Sequence, residues 1–127
     1  MTAMIRNYTI AAERPLAGAG VVVGSLIDPE RIANAHIRIH ALEGQLFRDV
    51  VQEAARRSAL PCSIWRERDL YAAATVALGK PDPHIRRTVA ALGRSVDSPW
   101  RAEQKAATVA AWLVLAAGGR ARRSLIQ

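Results

Sequence analysis

Arginine clusters are the groups in this chain best suited to bind a partner. Four of them recur, at Arg56-Arg57, Arg66-x-Arg68, Arg86-Arg87 and Arg120-x-Arg122-Arg123. A guanidinium group is a planar fork of donors that matches phosphate oxygens, so the clusters indicate a polyanion such as DNA or RNA. The candidate nucleic-acid contacts are Arg56, Arg57, Arg86, Arg87 and Arg101. Solvated helix faces are the usual explanation of such clusters, unless the fold brings them to one side.

Tryptophan and cysteine are the other reactive or stacking side chains. Trp100 precedes Arg101 at a predicted helix start, which makes it a candidate to stack on a nucleic-acid base. Trp112 lies within the most apolar segment, where packing is its expected role. Cys62 stands next to a short apolar run with no neighbouring base to activate it, so it is expected to be a small buried hydrophobe.

Composition favours one soluble domain in a reducing compartment. The chain has 127 residues, of which 50% are hydrophobic and 23% charged, and its net charge is +7. That charge fits either a polyanion partner or a solubility role in an arginine-rich proteome. A single cysteine excludes an internal disulfide and the first residues lack a secretory pattern, so a cytoplasmic location is expected. The longest apolar run, 106–117, is too short to cross a bilayer, and no membrane partner is expected.

Three strands are predicted in the first third of the chain. Residues 5–12 and 20–27 are rich in β-branched residues and flank a turn with Pro and Gly, which predicts an antiparallel hairpin. Residues 35–42 alternate apolar and polar side chains, which predicts a third strand. On that strand His36 and His40 would lie roughly 13 Å apart, too far to share a metal ion.

Helices dominate the remainder. Leu46, Phe47, Val50 and Val51 recur at helical spacing after Glu43. The sequence then predicts a short strand at 62–65 and three helices: 67–78 closed by Gly79, 82–93 with Asp82 as N-cap, and 100–117 ended by Gly118-Gly119. One domain over 1–119 and a basic tail over 120–127 follow from this division. The predicted fold class is α/β, with three antiparallel N-terminal strands in a mixed sheet of five or fewer strands and flanking helices.

Several of these segments resemble one family. The run YTIAAERPLAGAGVVV resembles the first hairpin of RuvC-type crossover-junction resolvases, which have a ribonuclease-H-like fold. IHALEGQLF resembles the strand that ends in an acidic residue before the next helix, with Glu43 in the acidic position. The segment AEQKAATVAAWLVLA resembles the family's final helix. The resemblance implies a ribonuclease-H-like fold and an ancestry among enzymes that cut phosphodiesters with two divalent metal ions.

The resemblance also implies that most catalytic acids are missing. The four acidic positions of the family fall on Ala11, Glu43, Ala102 and Lys105, so only Glu43 is retained. Two divalent ions need several oxygen ligands, which predicts a degenerate site with no metal. In that vacant site Glu43 and Lys105 are expected to form a structural ion pair. The alternative is a reduced Mg²⁺ or Mn²⁺ site built from the shifted acids Glu13, Glu43 and Glu103.

The sequence therefore leaves three functions open. The first is a catalytically degenerate, resolvase-like module that binds DNA or RNA, needs no cofactor and is no longer an enzyme. The second is a metal-dependent endonuclease that uses the shifted acids. The third is a protein–protein interaction or homodimeric structural protein, whose association would depend little on salt.

Overall fold

The computed structural model describes residues 15–24 and 29–126, with side chains described as far as Gly118. Its elements are β1 (Ala19–Val23), α1 (Ala35–Arg57), β2 (Cys62–Arg66), α2 (Glu67–Leu78), α3 (Asp82–Leu92) and α4 (Ala102–Ile126). Short 3-10 turns occupy Pro29–Arg31 and Gly93–Ser95. The strand predicted over residues 5–12 lies outside the described residues.

The described strands form one parallel pair. β1 and β2 align from Ala19 beside Cys62 to Val23 beside Arg66. Parallel neighbours cannot be joined by a tight turn, and here α1 is the helical connection that returns the chain to the same end of the sheet. The result is a βαβ unit followed by three helices.

The predicted ribonuclease-H-like sheet is wrong for the described residues. In them the only sheet has two parallel strands, in place of three antiparallel strands within a larger sheet. The main error lies at residues 35–42, which form the first turns of α1. Asn34 caps this helix, because its side-chain oxygen accepts a hydrogen bond from the Ile37 amide at 3.1 Å. The helix therefore begins at Ala35, eight residues before Glu43, where the sequence had predicted its start.

The later elements agree better with the sequence. The strand at 62–65 and the helix at 67–78 are both confirmed, and Gly79 ends α2 with φ of 63° while its amide donates to Thr75. Pro81, rather than Asp82, is the N-cap of α3. The last helix begins at Ala102 and continues to Ile126, so Gly118-Gly119 does not end it.

One buried cluster joins α2, α3 and α4. Its fully buried larger members are Leu70 of α2, Ile85 and Val89 of α3, and Val109 of α4. Removing one such side chain from water is worth roughly 1.5–3 kcal/mol, so this cluster dominates the stability of the described chain. From α1, only Ala54 and Ala55 near its C-terminal end are buried.

Two glycines let β1 lie directly against its neighbours. A Cβ atom at Gly20 would stand 3.1 Å from the Cβ and carbonyl oxygen of Ala110 in α4. A Cβ at Gly18 would stand 2.8 Å from Val114 and 2.9 Å from the Pro61 carbonyl oxygen. The Gly-x-Gly pattern therefore reflects close backbone packing between β1, α4 and the start of β2.

Candidate interaction surface

The outer face of α1 carries an exposed apolar stripe. Ile39, Leu42, Leu46 and Val50 are between 43% and 64% exposed. A helix turns about 100° per residue, so these four side chains fall within an arc of about 80°. Their positions extend for about 17 Å along the helix. We call these four residues the outer stripe.

Charged groups bound the outer stripe at one end and along one side. Glu53, one turn after Val50, accepts hydrogen bonds from Arg56 and Arg57. Along one side, helical spacing places Arg38 near the N-terminal end of the stripe and Asp49 near its C-terminal end. Asp49 has no hydrogen bond or ion pair with the described residues, whereas Arg38 donates through Nε to the Ile32 carbonyl at 3.0 Å.

The opposite face of α1 lines two grooves beside the C-terminal end of β1. Both grooves contain Val22, Val23 and Phe47, and their volumes are about 400 and 590 Å³. No member of the outer stripe lines either groove. Helix α1 therefore presents two apolar faces. One borders the grooves beside β1, where Phe47 is still 63% exposed, and the other has no cover among the described residues.

The smaller groove contains one of the acids singled out in the sequence. Glu103, in the first turn of α4, lines it together with Glu67, the first residue of α2. Glu43 lines neither groove, and Glu13 lies outside the described residues. The structure thus brings Glu103 near Glu67, which the sequence analysis did not select, because both follow segments that converge at the same end of β1.

The predicted ion pair between Glu43 and Lys105 is not among the ion pairs of the described residues. Glu43 is exposed on α1, where its carboxylate lies 3.6 Å from the His40 imidazole, a contact that is an ion pair only when the histidine is protonated. Lys105 is half-buried on α4 and has no ion pair within the described part of the chain. The prediction had placed Glu43 at the end of a strand facing α4. Because residues 35–42 are helical, Glu43 lies within α1 and that strand end does not exist.

His36 and His40 are also repositioned by this helix. Four residues apart on α1, their rings meet edge to face with centroids 4.6 Å apart. The strand separation that had argued against a shared metal ion therefore does not apply. Within the described residues, no group of three or more His, Cys, Asp or Glu side chains is arranged to hold a metal ion.

Three of the five arginines predicted to contact nucleic acid are paired with acids. Arg56 and Arg57 both bind Glu53, and their hydrogen bonds lower the pKa of that carboxyl group to about 2. Arg86 binds Asp82 at 2.7 Å and lies over the Tyr71 ring at 3.8 Å, and the Asp82 hydrogen bond raises its pKa. These guanidinium groups are exposed, but each already has a carboxylate partner.

Three arginines in the second half of the chain have no such partner. Arg87, Arg94 and Arg101 are exposed and make no ion pair with the described residues. Arg94 follows Gly93 and Arg101 follows Trp100, and the Trp100 ring packs directly on Gly93. The C-terminal end of α3 and the start of α4 therefore bring Arg94 and Arg101 into one region.

The Trp100 side chain is already engaged in packing and hydrogen bonding within the fold. It is half-buried, and its indole nitrogen donates to the Val89 carbonyl at 2.9 Å. One part of the ring is covered by the Gly93 backbone. A tryptophan held in this way joins α3 to the start of α4, so base stacking would require this contact to open.

No protein-family model, curated protein or solved structure matches the chain. None of the helices in the described residues is both long enough and apolar enough to cross a membrane.

Proposed function

We propose that this chain is a protein-interaction module that associates through the outer stripe of α1. The observation that carries the proposal is the exposure of four large aliphatic side chains in one continuous row, bounded by charge. Scattered exposed apolar residues are ordinary on soluble proteins, whereas a continuous row on a helix is typical of binding faces.

The energetics of α1 support the same proposal. Only Ala54 and Ala55 of this helix are buried. Gly44 lies in its interior, at a position where an added Cβ atom would contact nothing within 4 Å. Glycine inside a helix costs about 0.5–1 kcal/mol relative to alanine. A 23-residue helix with so little buried surface gains most if a partner covers its outer face.

A photoreactive side chain tests the proposal directly. We would place benzoylphenylalanine at Leu46, in the middle of the stripe, and irradiate the full chain in its host cells. The matched control replaces Val76 of α2, which is 85% exposed but stands outside any such row. We expect a discrete adduct from position 46 that is lost when Ile39→Asp is added, and none from position 76. Equal labelling at both positions, or no adduct at 46, would contradict the proposal.

We propose polyanion binding as a second candidate, supported by the exposed, unpaired Arg87, Arg94 and Arg101 and by the net charge of +7. Such binding should weaken steeply between about 50 and about 200 mM salt, on the order of tenfold per few phosphate contacts. Arg87→Glu with Arg101→Glu should reduce the affinity for random duplex DNA and flatten its salt dependence. The matched control is Arg56→Glu with Arg57→Glu, because those arginines are already paired with Glu53. An equal loss in both double variants would point to net charge alone.

A further inference from the structure

We infer that the partner of the outer stripe is a second copy of this chain, with the two α1 helices antiparallel about a twofold axis. This inference rests on the proposed interaction function and names its occupant. It follows from the order of apolar and charged residues along α1. The segment concerned is residues 38 to 50, all of which the structure describes.

The apolar residues are arranged nearly symmetrically along the helix. If the axis passes level with Gly44, Leu42 of one copy faces Leu46 of the other, and Ile39 lies within about one residue of Val50. Each of the four stripe residues then meets an aliphatic residue of the second copy. An isologous contact of this kind requires one patch to be complementary to itself, which the stripe satisfies.

The flanking charges select the antiparallel direction. Arg38 and Asp49 lie on the same side of the stripe, near opposite ends. Two antiparallel helices bring equivalent sides together, so each Arg38 lies level with Asp49 of the other copy, within about one residue. Asp49 has no ion pair among the described residues, and Arg38 holds the Ile32 carbonyl through its Nε.

A parallel pair uses these charges less well. Two parallel helices bring opposite sides of the stripe together, with contacts about five residues apart in sequence. Arg38 would then meet Glu43, but Asp49 would meet Ala54 and stay without a cation. The helix dipoles also oppose each other when the two helices point the same way.

One group opposes the antiparallel arrangement. Glu43 lies on the other side of the stripe near the axis, so the Glu43 side chains of the two copies approach each other. Each is 3.6 Å from His40 of its own helix, which neutralises the repulsion only when that histidine is protonated. Removing the charge with Glu43→Gln is therefore expected to tighten an antiparallel dimer, whereas it would weaken a parallel one.

The expected affinity is modest. A contact about 17 Å long is short for a stable dimer, which typically covers about 800 Å² on each partner. Association is therefore expected with a dissociation constant on the order of micromolar. Sedimentation velocity of the full chain over a series from about 1 to about 200 μM spans that transition.

Charge reversal gives the decisive test. Arg38→Glu places two acids together at both ends of the contact, and Asp49→Arg places two arginines together, so each single variant should associate at least about tenfold more weakly. An equimolar mixture of the two variants restores opposite charges at both ends. At one end the introduced glutamate meets the introduced arginine, and at the other end the native Arg38 meets the native Asp49. We expect the mixture to form a heterodimer close to wild-type affinity.

The matched controls are Lys80→Glu and Asp97→Arg, which make the same charge reversals at exposed sites outside α1. We expect each control variant to associate like the wild type, alone and in the mixture. Weakening by the controls equal to that of the α1 variants would show that net charge, and not this contact, sets the affinity, which overturns the inference.

The outcomes separate this inference from the proposed function. Circular dichroism first checks that each variant is folded, and rescue in the mixture cannot come from unfolded chains. A wild-type chain that stays monomeric across the series, or a mixture that stays monomeric, overturns the antiparallel second copy as occupant. If the Leu46 photoadduct then has a mass other than twice the chain, the interaction function stands with a different partner. If there is no adduct either, both fail.

Discussion

The contact between Gly93 and Trp100 makes a sharp prediction about stability. Gly93 has φ of −61° and ψ of −21°, a conformation open to any residue, so replacing it by alanine adds no backbone strain. The added Cβ would stand 2.6 Å from Cγ and 2.9 Å from Nε1 of Trp100, too close for the ring to remain in place. The ring must move, and the 2.9 Å hydrogen bond to Val89 is then lost.

The size of the effect follows from these two contributions. Losing the indole hydrogen bond costs about 1 kcal/mol. Exposing more of a half-buried tryptophan costs roughly another 1–2 kcal/mol at about 25 cal/mol per Å². A small gain in helix propensity offsets part of this loss. We expect Gly93→Ala to lower the free energy of unfolding by about 2 kcal/mol, which corresponds to a fall in Tm of roughly 8 °C in a domain of this size.

Urea denaturation followed by far-UV circular dichroism measures this change. Gly44→Ala is the matched control, because its Cβ meets nothing within 4 Å and the substitution lies inside α1. It should raise stability by about 0.5–1 kcal/mol. Trp100→Phe keeps an aromatic ring but removes the hydrogen bond, so it should cost about 1 kcal/mol. If Gly93→Ala is as stable as wild type and its Trp100 indole proton keeps its NMR shift, the reasoning fails.

Three further predictions concern single groups. Ala59 has φ of 55°, so Ala59→Gly should stabilise the protein by about 0.5–1 kcal/mol in urea denaturation, and any loss would contradict this. Arg56 and Arg57 lower the pKa of Glu53 from 4.5 to about 2, so the stability that the ionised carboxylate contributes is full above about pH 4.5 and is lost as the pH falls toward 2. Glu53→Gln should remove this part of the acid dependence of stability. An NMR titration midpoint of Glu53 near 4.5 would refute the prediction. Burial raises the pKa of the Cys62 thiol, so a disulfide reagent at about pH 8 should react more slowly with the native chain than with the chain in urea, and equal rates would refute this.

Local signals predicted the second half of the fold best. β2 and α2 follow from a short apolar run, a helical period and Gly79, each of which is decisive within a few residues. The strand predicted over residues 35–42 was wrong because the positions of Ile37 and Ile39 fit both an alternating strand and a helix. The Asn34 cap and the continuation of Ile39 into the stripe would have resolved this ambiguity, because only a helix places Ile39 in line with Leu46.

The candidate interaction surface was harder to predict from the sequence than the helices and strands were. Predicting residues 35–42 as a strand divided the outer stripe between two elements, so it was not recognised. The pairing of Arg56 with Glu53 and of Arg86 with Asp82 was readable from spacings of three and four residues. The packing of Trp100 on Gly93 was not, because it depends on how α4 meets α3 in three dimensions.

The position of β1 has a consequence for the newly synthesised chain. Among the described residues, this strand is made before the elements that contact it, since its pairing partner is β2 and its covering residues Ala110 and Val114 belong to α4. The buried members of the cluster formed by α2, α3 and α4 all follow β2, and Val22 of β1 packs against them from outside. Helices α2, α3 and α4 can thus pack together through contacts close in sequence, whereas the valines of β1 are covered only after α4 has been made. During that interval β1 lacks the cover of β2 and α4, and an exposed apolar strand is prone to aggregation, so β1 is a segment that a chaperone would protect.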